Sequence, residues 1–149
     1  MKIEDLKIKK LEETATIPTY GTEYSAGADL YAALESDTPI KPGETIMIGT
    51  KLAMEIPIGF VGLIFARSSL GSKKGLAPAN KVGVIDADYR GEIKVPLFNH
   101  SDSIQTITKN ERIAQIIFMP YLKANFIETE NLEETIRGTG GFGSTNKNA

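Results

Sequence analysis

The chain has 149 residues, 41% of them hydrophobic, a net charge of −2 and no cysteine. That length suits one domain with a substantial core, and the lack of cysteine excludes disulfides, thiolate metal sites and cysteine nucleophiles. With no basic excess to neutralise phosphates along a duplex, no nucleic-acid partner is expected.

The opening MKIEDLKIKKLEE is broken by charge every second or third residue, which does not suit a secretory signal. No run in the chain reaches the ~18 apolar residues of a membrane helix, so no membrane partner is expected. The expectation is a cytoplasmic protein. Ser25-Ala-Gly-Ala-Asp-Leu-Tyr-Ala32 sets one acid, Asp29, among small residues and predicts tight packing around a buried ionic contact. Thr38-Pro-Ile-Lys-Pro-Gly43 reads as a turn. From Thr45 to Ile56 the apolar residues Ile46, Ile48, Leu52, Met54 and Ile56 share one parity, the period of a strand.

After a turn at Pro57–Gly59, residues 60–65 read as a buried strand. Ala66-Arg-Ser-Ser-Leu-Gly71 follows it, and Arg67 with Ser68 and Ser69 at a strand end makes a phosphate-ready set. A polar loop with Arg67 in a surface pair is the plain alternative. One short helix is expected within residues 68–77. In Gly83-Val-Ile-Asp-Ala-Asp-Tyr-Arg-Gly-Glu-Ile-Lys-Val95, DADYRG reads either as the solvated tip of a hairpin or as a site where Asp86 activates a water. A calcium loop fails, because Arg90 and Leu97 stand where ligands are needed. If the segment is extended, Asp86 and Asp88 point to one face.

Asn99-His-Ser-Asp102 is a polar turn in which the single His100 is a bystander. Residues 113–118 read as a buried strand that carries Gln115, an amide in need of a partner, and residues 130–136 are ambiguous. Short strands separated by turns at this spacing give an all-β sandwich or barrel. The tail, from Arg137 onward, has four glycines in residues 138–143. Gly138-Thr-Gly-Gly-Phe-Gly143 fits G-x-G-x-x-G, but only six residues follow, so a dinucleotide fold is excluded, and no lysine follows to make a Walker loop. Its backbone N–H groups suit an anion cradle, with Arg137, Ser144 and Thr145 as further donors and Phe142 in want of a planar partner. The organisation expected is a folded domain over residues 1–136 and a tail over 137–149 that is mobile when empty.

The ordered series SAGADLYA, ARSSLG, GVIDADYRG, ERIAQ and RGTGGFGST resembles the five motifs of the homotrimeric dUTPases (deoxyuridine triphosphate nucleotidohydrolases), over residues 25–145. The departures are Asn110-Glu111, where many relatives have Gly-Asp, and Ser69, where many have Gly. The resemblance implies a jelly-roll subunit, a homotrimer with active sites shared between subunits, and hydrolysis of dUTP to dUMP and diphosphate with Mg²⁺. Such an enzyme limits uracil in DNA and supplies dUMP for dTTP synthesis.

Carried over by residue, Asp86 resembles the general base and Tyr89 the residue packed on the deoxyribose. Asn80 and the backbone of Gly83, Val84 and Ile85 would bind the uracil edge. Arg67, Ser68, Ser69 and Gln115 would hold the phosphates, and Arg137 would meet the γ-phosphate. Phe142 would stack on the base while Gly143, Ser144 and Thr145 close over the phosphates. Asp29, Asp88 and Arg112 would support them, and Mg²⁺ would take its ligands from phosphates and water, with none direct from the protein. The related dCTP deaminases, by resemblance, need a Glu and an Arg where this chain has Pro96 and Ser72. A catalytically idle β-sandwich that binds a protein partner is the other alternative, disfavoured by the intact Asp86 and Tyr89.

Overall fold

The structure, a computed structural model, describes residues 5–141. In chain order its elements are β1 (Lys7–Lys10), β2 (Thr19–Tyr20), β3 (Ala28–Tyr31), β4 (Thr38–Ile40), β5 (Thr45–Gly49), β6 (Leu52–Glu55), β7 (Phe60–Phe65), α1 (Ser68–Lys74), β8 (Leu76–Pro78), β9 (Gly83–Ile85), β10 (Lys94–Asn99), β11 (Gln105–Ile107) and β12 (Arg112–Pro120). The all-β expectation holds, with one short helix. A five-stranded sheet runs β2-β3-β12-β7-β9, a three-stranded sheet runs β5-β10-β8, and β1-β6 and β11-β4 form two-stranded ribbons. All of these pairings are antiparallel.

The core follows from period-two burial. On β10, Val95, Leu97 and Asn99 are buried while Lys94 faces out. Ile113 and Ile116 of β12 meet Leu30, Ile40, Ile48, Ile64 and Leu76 in one apolar cluster. Each fully buried aliphatic side chain of this kind contributes about 1.5–3 kcal/mol. Asn99 is the polar exception, and it is satisfied: its amide donates to the carbonyls of Ile40 (2.9 Å) and Ser103 (2.8 Å). His100 is exposed and lies edge-on to Phe98.

The short helix expected within residues 68–77 is present, and it stops at Lys74 because Gly75 takes φ +65° and its N–H caps the carbonyls of Gly71 and Leu70. Three expectations need correction. The run 45–56 keeps its parity but is two strands, because Lys51 adopts a left-handed φ of +54° and turns the chain from β5 into β6. Thr38–Ile40 is a strand, since Pro39 sits on a two-stranded edge where its missing N–H does no harm.

The third correction bears on function. DADYRG is not a hairpin tip. β9 pairs with β7, whereas β10 pairs with β5 and β8, so the loop between them crosses from one sheet to another. The loop is also not extended at the carboxylates. Ala87 and Asp88 form a turn closed by the Tyr89 N–H on the Asp86 carbonyl, at 3.2 Å. The alternation argument for Asp86 and Asp88 therefore fails.

Past Pro120 the sheets end. Residues 121–136 have no helix or strand and lie exposed. Among the described residues no helix is long and apolar enough to cross a membrane.

Candidate functional site

The residues singled out by the sequence fall into two clusters. The first forms where β3, β12 and β7 lie side by side, with Gln115 opposite both Asp29 and Phe65. Asp29 is 9% exposed, and burying a carboxylate is costly unless it is paired. Arg67 pairs with it: Nε donates to one carboxylate oxygen at 2.6 Å, and Arg112 reaches the other at 3.3 Å. The ionic contact expected at Asp29 is present.

The same Arg67 donates through an Nη to the Ser69 hydroxyl at 3.2 Å. Gln115 donates to the Ala66 carbonyl at 2.9 Å, which leaves its Oε1 free to pack over Gly27. A Cβ on Gly27 would occupy the place of that amide. Ser68 opens α1, exposed beside them. The cluster is a cationic, hydroxyl- and amide-bearing surface preformed around one buried acid, chemistry that suits phosphate oxygens.

The second cluster is built on the far edge of the five-stranded sheet. β9 is the terminal strand, so one edge of Gly83–Ile85 keeps its backbone donors and acceptors unpaired by any strand. An open recess of about 370 Å³ lies against it, lined by Asn80, Val84, Ile85, Asp86 and Tyr89 among others. The Asn80 amide nitrogen sits beside Gly83. Tyr89 lies over Gly91, where a Cβ would strike its ring, and its hydroxyl donates to the Glu92 carbonyl at 3.0 Å. Pro96 also lines the recess and offers no titratable group.

Asp86 is exposed and borders two spaces. It lines the small recess and also a groove of about 1400 Å³ walled by Val61, Leu63, Val84, residues 121–124 and Phe126. Asp88 borders the large groove but not the recess. That difference separates the two acids where alternation does not.

The clusters do not meet within the chain. Ile85 is level with Gly62, and Arg67 lies five residues further along β7, roughly 16 Å at ~3.3 Å per residue. Arg137 is exposed, with its Nε donating to the Gly140 carbonyl, and no contact brings it to either cluster among the described residues. Phe142, Gly143, Ser144 and Thr145 lie outside the described residues.

Sequence reasoning missed the side chains that hold these clusters in place. Lys74, in the last turn of α1, donates to Glu111 at 2.6 Å and to the Thr106 carbonyl at 2.7 Å. Burial pushes the Glu111 carboxyl up, but Lys74 and the Thr108 N–H outweigh it and hold the carboxyl below its ordinary value. Asn110 before it has φ +60°, a left-handed position that explains why glycine suits many relatives there. Glu92 was missed likewise; its carboxylate accepts from the Lys51 N–H at 3.0 Å.

A family model for dUTPase matches residues 13–146. This chain belongs to the dUTPase family. It is 52% identical over 142 residues to the deoxyuridine 5'-triphosphate nucleotidohydrolase of Nautilia profundicola, covering 95% of this chain and 99% of the relative. Its fold superposes on the dUTPase of Staphylococcus bacteriophage 80alpha bound to dUPNHPP, with a TM-score of 0.87 and 29% identity over 95% of this chain and 98% of that one. The dUTPase of phage phi11 of S. aureus, in which a structural Mg(II) ion is coordinated, is similar at a TM-score of 0.77 and 25% identity, over 88% and 100% of the two chains. The all-β sheets are thus the jelly roll of dUTPases.

Proposed function

We propose that this chain hydrolyses dUTP to dUMP and diphosphate, with Asp86 as the base that orients water toward the α-phosphorus. The observation that carries the reading is the recess at the free edge of β9. It offers backbone hydrogen-bond groups for a base edge, an aromatic wall at Tyr89 and one carboxylate at its mouth. A flat pyrimidine edge reads backbone N–H and C=O groups well, and Asn80 adds an amide. Tyr89 closes the sugar side and leaves no room for a 2′-hydroxyl. Arg67, Ser68, Ser69 and Gln115 bind the phosphates, steadied by Asp29 and Arg112, and Asp88 supports the loop. Arg137, Phe142, Gly143, Ser144 and Thr145 close over the bound nucleotide as a tail beyond a domain ending at 136.

The reading assigns the acting pieces of one pocket to different copies of the chain. Asp86 follows β9, whose end is level with Gly62, and so lies roughly 16 Å from Arg67 along the backbone at ~3.3 Å per residue, a separation that supports a homotrimer whose sites lie between subunits. The segment after β12 supports it too. Leu122 and Phe126 are 99% and 93% exposed, with Ile127, Leu132 and Ile136 similarly bare, an apolar stretch that suits burial against another copy.

Mg²⁺ fits this site as the counter-ion of the substrate. Among the described residues no three acid or histidine side chains converge to cage a metal, and Mg²⁺ readily keeps waters and takes phosphate oxygens. When bound, it neutralises the triphosphate and holds it in line for displacement. A cytoplasmic setting, where dUTP is made and consumed, completes the proposal.

Diphosphate release measured across dUTP, dCTP, dTTP and UTP tests the activity: turnover of dUTP well above the other three is expected, and none would overturn it. Asp86→Asn chains refolded with chains truncated after Ile136 test the sharing. Roughly a quarter of pockets should be complete under random closed three-fold assembly, and no recovery from mixed trimers would remove the shared site.

A further inference from the structure

From Asp86 to Ile93 the chain belongs to no strand, so the loop bearing Asp86 and Tyr89 is held at its two ends. Upstream, β9 is fixed by its register on β7. Downstream, the hold passes through Glu92. Its side chain is only 15% exposed. One carboxylate oxygen accepts from the Lys51 N–H at 3.0 Å, and the other pairs with Lys94 at 3.3 Å. The carboxylate fills the place that a Cβ on Gly49 would take.

The backbone continues the same attachment. The Glu92 carbonyl receives the Tyr89 hydroxyl, and the Ile93 N–H donates to the Leu52 carbonyl at 2.8 Å. The Ile93 carbonyl accepts from the Thr50 N–H at 3.1 Å and the Thr50 hydroxyl at 2.7 Å. Lys51 is the left-handed residue of the β5–β6 turn, and its own ammonium is occupied by Glu12 at 2.8 Å. Glu92 thus grips the backbone of a sharp turn and leaves that turn's side chain to another acid.

We infer that Glu92 is a positioning residue for Tyr89. It fastens the downstream end of the loop to the β5–β6 turn, keeps the phenol on the Glu92 carbonyl, and so sets the discrimination between deoxyribo- and ribonucleotide. Glu92 borders the recess beside Tyr89, and in this inference it acts through Tyr89 rather than on the phosphates. The loop's upstream end, and Asp86 with it, stays on β9 when Glu92 is lost, so sugar choice suffers more than the chemical step. This inference rests on the dUTPase reading and on the place of Tyr89 in it.

The test is the ratio of kcat/KM for dUTP over UTP. Glu92→Ala should lower that ratio at least about fivefold, the worth of one well-placed hydrogen bond, while Glu92→Gln, which still accepts from the Lys51 N–H, stays within about twofold of the parent. Gly49→Ala displaces the carboxylate without removing it and should act in the same direction, a second route if Glu92→Ala folds poorly. In a Tyr89→Ala background, Glu92→Ala should change the ratio no further. An unchanged ratio, with a lower Tm and equal losses on both substrates, would leave Glu92 a purely structural residue and overturn the inference. A parent protein without dUTP turnover would instead overturn the dUTPase reading itself, an outcome distinct from a parent that turns over dUTP and a ratio that does not move.

Discussion

The two clusters are held by different means. At the recess, the free backbone edge of β9 and the phenol resting on the Glu92 carbonyl face the open space. At the other end of β7 the surface is made of side chains, with Arg67 oriented by a buried acid and Gln115 by a carbonyl. A backbone edge has a fixed shape and suits selecting one base. A guanidinium tethered on one side keeps donors to spare and suits gripping phosphate oxygens, whatever nucleoside carries them. On the proposed reading, the contrast gives selectivity to one cluster and charge to the other.

Mutations should divide along that line. The largest effect is expected at Asp86. Asp86→Asn should lower kcat by roughly 10²–10⁴, the usual worth of a positioned base, with dUTP affinity retained in equilibrium binding. Turnover near the parent rate would break the assignment. Arg67→Ala comes next and should cost stability as well as phosphate binding. Asp29 would keep only Arg112, so a loss of about 2–3 kcal/mol is expected in urea denaturation, below the ~3–5 of a fully stripped buried pair. Asp86→Asn, by contrast, should leave the urea midpoint unmoved.

Smaller still, Tyr89→Ala should narrow the preference for dUTP over UTP by ~1–3 kcal/mol. An unchanged ratio in steady-state kinetics would reduce Tyr89 to packing. The smallest effect belongs to the brace behind α1. Glu111 is held below its ordinary pKa in the fold, so its contribution is present above the unfolded value and is lost as pH falls through the lowered one. Glu111→Gln should therefore cost under about 1 kcal/mol at neutral pH, and the Tm gap to the parent should close in acid. A gap constant with pH would mean that the carboxylate charge does not matter.

Much of this was legible in the sequence, for reasons that differ by residue. β7 and β12 showed themselves as apolar runs, and Asp29 as a lone acid among small residues. β1 did not, because Lys7, Lys9 and Lys10 break the pattern on a sheet edge. The crossing of the loop at Asp86 between sheets is not legible, because turn residues between two apolar runs suit a hairpin equally well, whereas here Val84 is opposite Leu63 and Val95 is opposite Ile48. Nothing local in the sequence points Glu92 and Glu111 to their distant partners. Their partners, Lys51 and Lys74, stand 41 and 37 residues away, and only the folded chain brings them together. The acting residues were read from their types and order, while their supports and their split into two clusters needed the sheet register.

Gly27 shows what this means for anyone scoring variants of the chain by dUTP turnover. It has no functional group, and its neighbours could accommodate the backbone of an alanine. Yet a methyl there evicts the Gln115 amide from its seat and with it the bond to Ala66. A saturation screen would rank Gly27 with the positions that bind substrate, and a thermal-shift screen would register it too, since overpacking of this kind costs about 1–3 kcal/mol. Position 27 belongs, in effect, to the genotype of Gln115: the two inherit their tolerance jointly, and a larger residue at one becomes acceptable only alongside a smaller one at the other.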